Sequence, residues 1–207
     1  MVAQAGLIRV GKKQNLPTLR VSRNLFFRSG EKPLRAEMKD ALPNHYERAF
    51  ENWLKDHRIE YVAKYQHERA TFRDVEIKSF DFLLYPHSRP IIVEVKGRTF
   101  RGASLAKMAG FECWVTAEDV NGLLTWQKIL GAGHRALFVF AYKMEHIDVD
   151  FNGRDVFDFD ANQYLFFYVP LEDYRKFMKR RSPKWRTVTL PADKFRQCAK
   201  PLSEYLL

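Results

Sequence analysis

The fold of this chain is decided by residues 80–97, which read FDFLLYPHSRPIIVEVKG. The stretch contains two apolar runs, Phe80–Tyr85 and Ile91–Lys96, and the segment between them has a proline at each end. Aromatic and β-branched residues favour strands, and prolines mark the turns between them. We therefore expect an antiparallel hairpin whose second strand ends at Gly97.

Two charged residues interrupt the second run. Residues two apart on a strand point to the same face, so Glu94 and Lys96 share one face while Val93 and Val95 enter the core. The Glu-x-Lys pattern occurs three times in the chain. Only this copy lies on an apolar strand and follows an acid, Asp81, that a hairpin would place beside Glu94. Charged side chains in such a setting need partners or a function, because their desolvation is costly.

This combination predicts a metal site. Two converging carboxylates repel each other unless a cation lies between them. The carboxylates of Asp81 and Glu94, with the backbone carbonyl of Val95, are hard oxygen ligands suited to Mg²⁺ or Mn²⁺. Lys96 would orient or deprotonate a water molecule, or neutralise developing charge. The alternative is a surface hairpin whose ion pair contributes about 0–1 kcal/mol, and the apolar neighbours argue against it.

Helical spacing of apolar residues predicts two helices around this hairpin. The first has Asn44 as its N-cap and ends near His57. The second covers about Ala117–Leu130 and is closed by Gly131. Between and after them we expect strands over Ile59–Gln66, Arg135–Tyr142, Gln163–Val169 and Trp185–Leu190, and a basic helix over Glu172–Arg181. The order predicts an α/β fold with a mixed central β-sheet flanked by helices.

The net charge of +10 is concentrated at the two ends of the chain. Residues 1–42 hold nine basic and three acidic residues, and residues 171–207 hold ten and four. We interpret 1–42 as a basic arm with little regular structure, 43–170 as the core and 171–207 as a basic extension packed on the core. Basic ends attract polyanions, which favours nucleic acid over an anionic membrane surface. An acidic protein partner, or a merely solubilising role, remains the alternative.

No apolar run approaches the roughly 18 residues that cross a bilayer, so we expect no membrane span. The two cysteines, Cys113 and Cys198, have neither metal-ligand nor disulfide-framework spacing. They suit a reducing compartment. The simpler interpretation of both cysteines is that they are small apolar residues of the core.

The constellation Asp81 … Glu94-Val95-Lys96 resembles the PD-(D/E)XK nuclease superfamily, and the resemblance covers roughly residues 44–142. It implies a restriction-endonuclease-like core of order αβββαβ. It also implies a nuclease that uses Mg²⁺ or Mn²⁺ to hydrolyse phosphodiester bonds, with DNA favoured over RNA as the substrate. In that scheme Asp81 and Glu94 are catalytic acids that hold the metal with Val95, and Lys96 serves the attacking water.

The first helix adds a third acid to this scheme. The superfamily often places an acidic residue on the helix before the first core strand, and Glu47 stands there. Glu47 is also in the capping-box position relative to Asn44, so a capping role is the alternative to a catalytic one. Phe80 stands where the superfamily usually has proline. A non-catalytic nucleic-acid-binding module on the same fold is the alternative function.

A narrower resemblance rests on residues 45–51, which read HYERAFE. The string is similar to the one that names the HYExAFE family of bacterial proteins. That resemblance supplies no activity, but it directs attention to Glu47 and Glu51. It also implies a location in the cytoplasm of a bacterium.

Further basic and polar residues are candidate contacts to nucleic acid. Some flank the expected cavity, some lie on the second helix, and some lie on the predicted basic helix, where a solvated face is the alternative. The candidates are Lys64, Arg98, Arg101, Gln127, Lys128, Lys176, Lys179, Arg180 and Arg181. A homodimer would suit cutting of both strands, although nothing in the sequence requires one.

Overall fold

The structure of the chain is a computed structural model that describes residues 44–63, 70–72, 75–86, 89–102, 107–145 and 155–207. The predicted basic arm and Lys64 lie outside the described residues. None of the helices in these ranges is long and apolar enough to cross a membrane.

The first part of the chain alternates helix and strand. Its elements are α1 (His45–Asp56), β1 (Tyr61–Ala63), β2 (Ala70–Phe72), β3 (Val75–Ile77), β4 (Phe82–Leu84), β5 (Ile91–Phe100), β6 (Val115–Thr116), α2 (Ala117–Leu130) and β7 (Arg135–Met144). The second part adds β8 (Val156–Phe159), β9 (Asn162–Pro170), α3 (Leu171–Phe177), β10 (Lys179–Ser182), β11 (Thr187–Thr189), α4 (Ala192–Cys198), β12 (Lys200–Pro201) and α5 (Ser203–Leu206).

The central sheet is mixed. Its strands follow the order β1-β4-β5-β7-β9-β12, and β8 pairs with β9. Strands β5 and β7 are parallel, with α2 in the connection between them, whereas the other pairs in this sheet are antiparallel. Strands β10, β11 and β6 form a second, small sheet, and β2 pairs with β3.

Both faces of the central sheet are covered by apolar side chains. Along β5, Ile92 faces a cluster that includes Trp126 of α2, whereas Val93 faces a cluster that includes Phe50 and Trp53 of α1. This arrangement confirms the predicted mixed sheet flanked by helices. The order α1, β1, β4, β5, α2, β7 is that of the predicted restriction-endonuclease-like core, with the β2–β3 pair inserted after its first strand.

The predicted strands Phe80–Tyr85 and Trp185–Leu190 are shorter in the structure, and two other elements end several residues from their predicted ends. The basic helix ends at Phe177 rather than Arg181, because Met178 has extended backbone angles and the next residues pair with β11. Strand β5 does not end at Gly97 but continues to Phe100, paired with β7 along its whole length. The glycine serves packing instead, since a Cβ atom there would overlap the ring of Tyr46.

Candidate active site

The β4–β5 hairpin places Asp81 against the edge of β5. Phe82 is opposite Val93 in the register, and the Asp81 N–H donates to the carbonyl of Val93 at 3.0 Å. The Val95 N–H donates in turn to Asp81 Oδ2 at 2.7 Å. Because the N–H and C=O of one strand residue point to the same edge, the carbonyl of Val95 also lies on this edge.

The side chains of Glu94 and Lys96 lie on the same face of β5. Lys96 Nζ lies 2.7 Å from Glu94 Oε1. The Glu94 residue is only 4% exposed, and Lys96 is partly buried. The ammonium therefore compensates a carboxylate that has lost most of its water, as a buried charge requires.

Two residues that sequence analysis did not select complete this network. Asp119 Oδ2 lies 3.1 Å from Lys96 Nζ. Lys78 Nζ lies 3.5 Å from Glu94 Oε1 and also forms an ion pair with Asp119 Oδ1. The result is a closed arrangement of two ammonium groups and two carboxylates.

The start of α2 fixes the position of Asp119. Its Oδ2 accepts from the Thr116 N–H at 2.7 Å, and its own N–H donates to Thr116 Oγ1 at 3.0 Å. This capping box holds the carboxylate at 3% exposure. The Thr-x-x-Asp pattern before an apolar run was the available signal, but it predicts a helix start and not a site.

Glu47 approaches from α1. The residue is 7% exposed, and its Oε1 accepts from Asn44 Nδ2 at 2.5 Å. The Asn44 side chain in turn accepts from the N–H groups of Tyr46 and Glu47, which caps the helix. Glu47 therefore supports the Asn44 cap through a side-chain hydrogen bond and also lines the cavity. Glu51, one turn later, instead accepts from the Tyr61 hydroxyl at 2.7 Å.

Most of these side chains line a cavity of about 380 Å³. Its lining residues are Asn44, Glu47, Lys78, Ser79, Phe80, Asp81, Glu94, Val95, Lys96 and Gly97. The four residues to which the sequence assigns catalysis thus line one concave space. Its volume falls in the range of small-ligand sites, which run from about 300 to 1,000 Å³.

The electrostatics of the cavity oppose the ionisation of Asp81. Burial raises the pKa of this carboxyl well above its usual range, and the carboxylates of Glu94 and Glu47 raise the pKa further. Lys96 and the hydrogen bond from Val95 act in the opposite direction. An added cation would offset the repulsion among the carboxylates.

The donor set fits a hard divalent cation that keeps part of its water shell. Within the described residues, no three side chains of Asp, Glu, His or Cys form a ready-made metal cluster. The predicted ligands are two carboxylates, from Asp81 and Glu94, and the Val95 carbonyl. All are oxygen donors on one cavity, and Mg²⁺ typically binds through one or two carboxylates while retaining several waters.

The remaining predicted residues are dispersed. The Arg98 side chain donates to the carbonyls of Gly97 and Trp114, and its guanidinium carbon lies 3.9 Å from the centroid of the Trp114 ring. Arg101 is exposed and lies 3.2 Å from Glu145. Neither residue lines the cavity, although both lie near the end of the strand that carries Lys96.

The structure does not bring Gln127 or Lys128 to the cavity. Gln127 Nε2 donates to the His134 carbonyl at 3.2 Å and to Glu172 Oε1 at 3.0 Å. Both residues belong to the last turn of α2, whereas the cavity is at the first turn. Lys176 is exposed on α3, and three further basic residues are exposed on β10 instead of continuing that helix, namely Lys179, Arg180 and Arg181.

A comparison with protein-family models matches residues 44–165 to the family described as "SfsA: Sugar fermentation stimulation protein RE domain". The match covers more than half of the chain. The chain belongs to the SfsA family. In this SfsA-family chain the matched segment begins at the N-cap of α1 and ends in β9, so it contains the whole cavity.

Among solved structures, the chain is similar to Hjc, a Holliday junction resolvase from the archaeal hyperthermophile Archaeoglobus fulgidus. The TM-score is 0.45 and the identity is 14%, over 78% of this chain and 92% of that chain. A search of curated proteins gives no match. The resemblance to the HYExAFE family is tested by none of these comparisons and stays a prediction.

Proposed function

We propose that this SfsA-family chain is a divalent-metal-dependent nuclease that hydrolyses phosphodiester bonds in DNA. The observation that supports the proposal best is the meeting of Asp81, Glu94 and Lys96 at one cavity, with the ammonium 2.7 Å from a carboxylate. The net charge of +10 supports a polyanionic substrate.

Asp81, Glu94 and the Val95 carbonyl would hold the ion. Bound Mg²⁺ or Mn²⁺ supplies Lewis-acid chemistry, because it lowers the pKa of a coordinated water and neutralises charge on a phosphate. The hydrogen bond from Val95 fixes one Asp81 oxygen against β5. The carboxylate is thereby oriented before any substrate arrives, which reduces the cost of reorganisation.

Lys96 is the residue that we assign to the attacking water. Glu94 and Asp119 hold its ammonium from two sides, at 2.7 and 3.1 Å. A fixed ammonium orients a water through a hydrogen bond and offsets the negative charge that develops on the phosphate. Glu47, on the opposite wall, assists by accepting a proton or holding a second water.

The proposal extends to the setting of the protein. The HYERAFE string supports a bacterial cytoplasmic location. Nucleic acid is the proposed partner, and a homodimer would bring two cavities to the two strands of a duplex. The alternative, a non-catalytic nucleic-acid-binding module, is separated from the nuclease by the following experiment.

The experiment measures cleavage of labelled DNA and RNA with Mg²⁺, Mn²⁺ or EDTA. We expect metal-dependent cleavage of DNA that falls by at least about 100-fold in Asp81→Ala and Lys96→Ala, because each removes a main source of transition-state stabilisation. Asp155→Ala and Lys200→Ala are matched controls, since both residues are exposed and outside the cavity. Thermal melts verify that every variant is folded.

Two results would contradict the proposal. Full activity in both cavity variants would separate cleavage from this site. Salt-sensitive DNA binding with no cleavage in any metal, unaffected by EDTA, would instead establish the non-catalytic module.

A further inference from the structure

A basic hairpin pairs with β6, the strand that leads into α2 and its Asp119. It consists of β10, β11 and the turn between them, residues 179–189, and we call it the basic hairpin. The segment contains five basic residues and no acidic one. All five are exposed, namely Lys179, Arg180, Arg181, Lys184 and Arg186.

The turn of the basic hairpin presents a large aromatic side chain to solvent. Trp185 is 68% exposed, in a chain whose other three tryptophans are largely or partly buried. The Lys184 ammonium lies 5.2 Å from its ring centroid. An uncovered indole loses the free energy that burial would give it, so a flat apolar face among cations suggests a ligand that is both aromatic and anionic.

Backbone hydrogen bonds fix the basic hairpin to the start of α2. Thr187 pairs with Thr116 and Val188 with Val115, and the Ala117 N–H donates to the Arg186 carbonyl at 2.8 Å. The same turn of α2 carries the carboxylate that binds Lys78 and Lys96. The basic hairpin is therefore bound to the helix turn whose carboxylate pairs with two lysines of the cavity.

Side chains continue this connection along the surface. Two guanidinium groups lie near the Trp114 ring, with the guanidinium carbon of Arg98 at 3.9 Å and that of Arg181 at 5.1 Å from its centroid. Arg98 follows Lys96 by two residues on β5, and Arg181 belongs to the basic hairpin. The end of β5 that follows Lys96 is thus connected to β10 through the Trp114 ring.

We propose that the basic hairpin binds a single-stranded segment of nucleic acid next to the cavity. Trp185 stacks on an unpaired base, and the cations of β10 contact phosphates. The role of this segment as a substrate rests on the proposed function, but its binding does not. A single strand is the favoured ligand because a duplex hides its base faces, and stacking on an aromatic side chain needs a free one.

Fluorescence anisotropy with EDTA present tests the proposal without cleavage. The probes are fluorescein-labelled oligothymidine and a blunt duplex of equal length. We expect Trp185→Ala to weaken oligothymidine binding by at least about fivefold, the lower end of the stacking contribution. Duplex binding and the dependence of affinity on salt should barely change. Tyr85→Ala, at the residue that follows β4, is the matched control because Tyr85 is also exposed.

A charge variant tests the phosphate contacts separately. In Lys179→Ala/Arg180→Ala we expect the slope of log affinity against log salt to flatten by about 1.4, since each phosphate contact contributes about 0.7 on a single strand. Arg89→Ala/Lys200→Ala removes the same charge from exposed positions elsewhere and should leave the slope nearly unchanged.

Either of two outcomes overturns the inference. One is unchanged oligothymidine affinity in Trp185→Ala. The other is an equal loss for oligothymidine and duplex with a flatter salt slope in that variant. Cleavage by the wild-type protein is measured in a separate assay. Failure of the binding test therefore does not contradict the nuclease proposal, and absence of cleavage does not contradict binding at the basic hairpin.

Discussion

At the scale of single residues, Asp119 joins helix capping to the candidate chemistry. One carboxylate accepts from the backbone of Thr116 and pairs with the ammonium groups of Lys78 and Lys96. The same atoms thus start a helix and hold a lysine in place. We regard Asp119 as a positioning residue, since it acts on the reaction through Lys96.

Asp119→Asn tests this role. The asparagine amide oxygen can still accept from the Thr116 N–H, but the charge that holds both lysines is gone, so we expect a loss of about 1–3 kcal/mol in the free energy of unfolding. Single-turnover cleavage should slow at saturating DNA, while KM changes little, because Lys96 moves and the DNA surface does not. Glu118→Gln removes a charge from the same helical turn at an exposed position and serves as the control. Equal slowing in both variants would show that Asp119 acts only through the general charge of the region.

The residues that could be predicted are those linked by local sequence, together with Glu47, which the family resemblance indicated. Asp81, Glu94 and Lys96 lie within one hairpin, so strand periodicity alone brings them together. Asp119 is 25 positions beyond Glu94, and its approach depends on how α2 packs on the sheet. Lys78 belongs to another Glu-x-Lys pattern of the chain, which sequence analysis did not select because it lies on a charged stretch.

At the scale of elements, the contact between α1 and β5 sets the position of Glu47. The Tyr46 ring lies over Gly97, and its hydroxyl is 3.1 Å from Thr99 Oγ1. A side chain at residue 97 would meet the ring. The backbone there is paired with Ala141 of β7 and cannot withdraw easily.

Gly97→Ala should therefore displace the start of α1. We expect a destabilisation of about 1–3 kcal/mol from overpacking, with reduced cleavage because Glu47 follows Tyr46. Thermal melts and the cleavage assay measure the two effects. Gly133→Ala is the control, because no atom lies within 4 Å of the added Cβ, and it should change stability by less than about 0.5 kcal/mol.

A double variant identifies the cause. Tyr46→Ala combined with Gly97→Ala should cost less than the sum of the two single changes, because the clash exists only when both side chains are present. If the loss of stability in the double variant equals the sum of the two single losses, the effect of Gly97→Ala does not come from contact with Tyr46.

Element boundaries failed where pairing overrode local preference. Residues 172–181 combine good helix formers with charges, which favours a helix. Near the end of that region Lys179 and Arg180 instead pair with β11, a partner that follows several residues later in the chain. Conversely, α2 was predicted over its observed range, because its cap at Thr116 and its end at Gly131 are encoded locally.

At the scale of the whole molecule, the sheet buries apolar side chains on both faces, whereas the carboxylates of Glu47, Asp81 and Glu94 line one cavity. Ionised groups lose hydration in such a cavity, and this raises the free energy of the folded state. The apolar contacts in the rest of the core must offset that free energy. Folding and metal binding should therefore be coupled in this protein, because the ion relieves repulsion that exists only in the folded state.

Thermal unfolding with and without Mn²⁺ measures that coupling. At Mn²⁺ of about ten times the dissociation constant, the folded state should gain about 1.4 kcal/mol, which raises Tm by about 3–6 °C for a chain of this size. Glu94→Gln should abolish the gain, because it removes a proposed ligand while conserving the size of the side chain. Asp155→Asn should retain it, since Asp155 is exposed outside the cavity. If Mn²⁺ raises the Tm of Glu94→Gln as much as that of the wild-type protein, the ion binds at another site, and the carboxylates of the cavity do not bind the proposed cation.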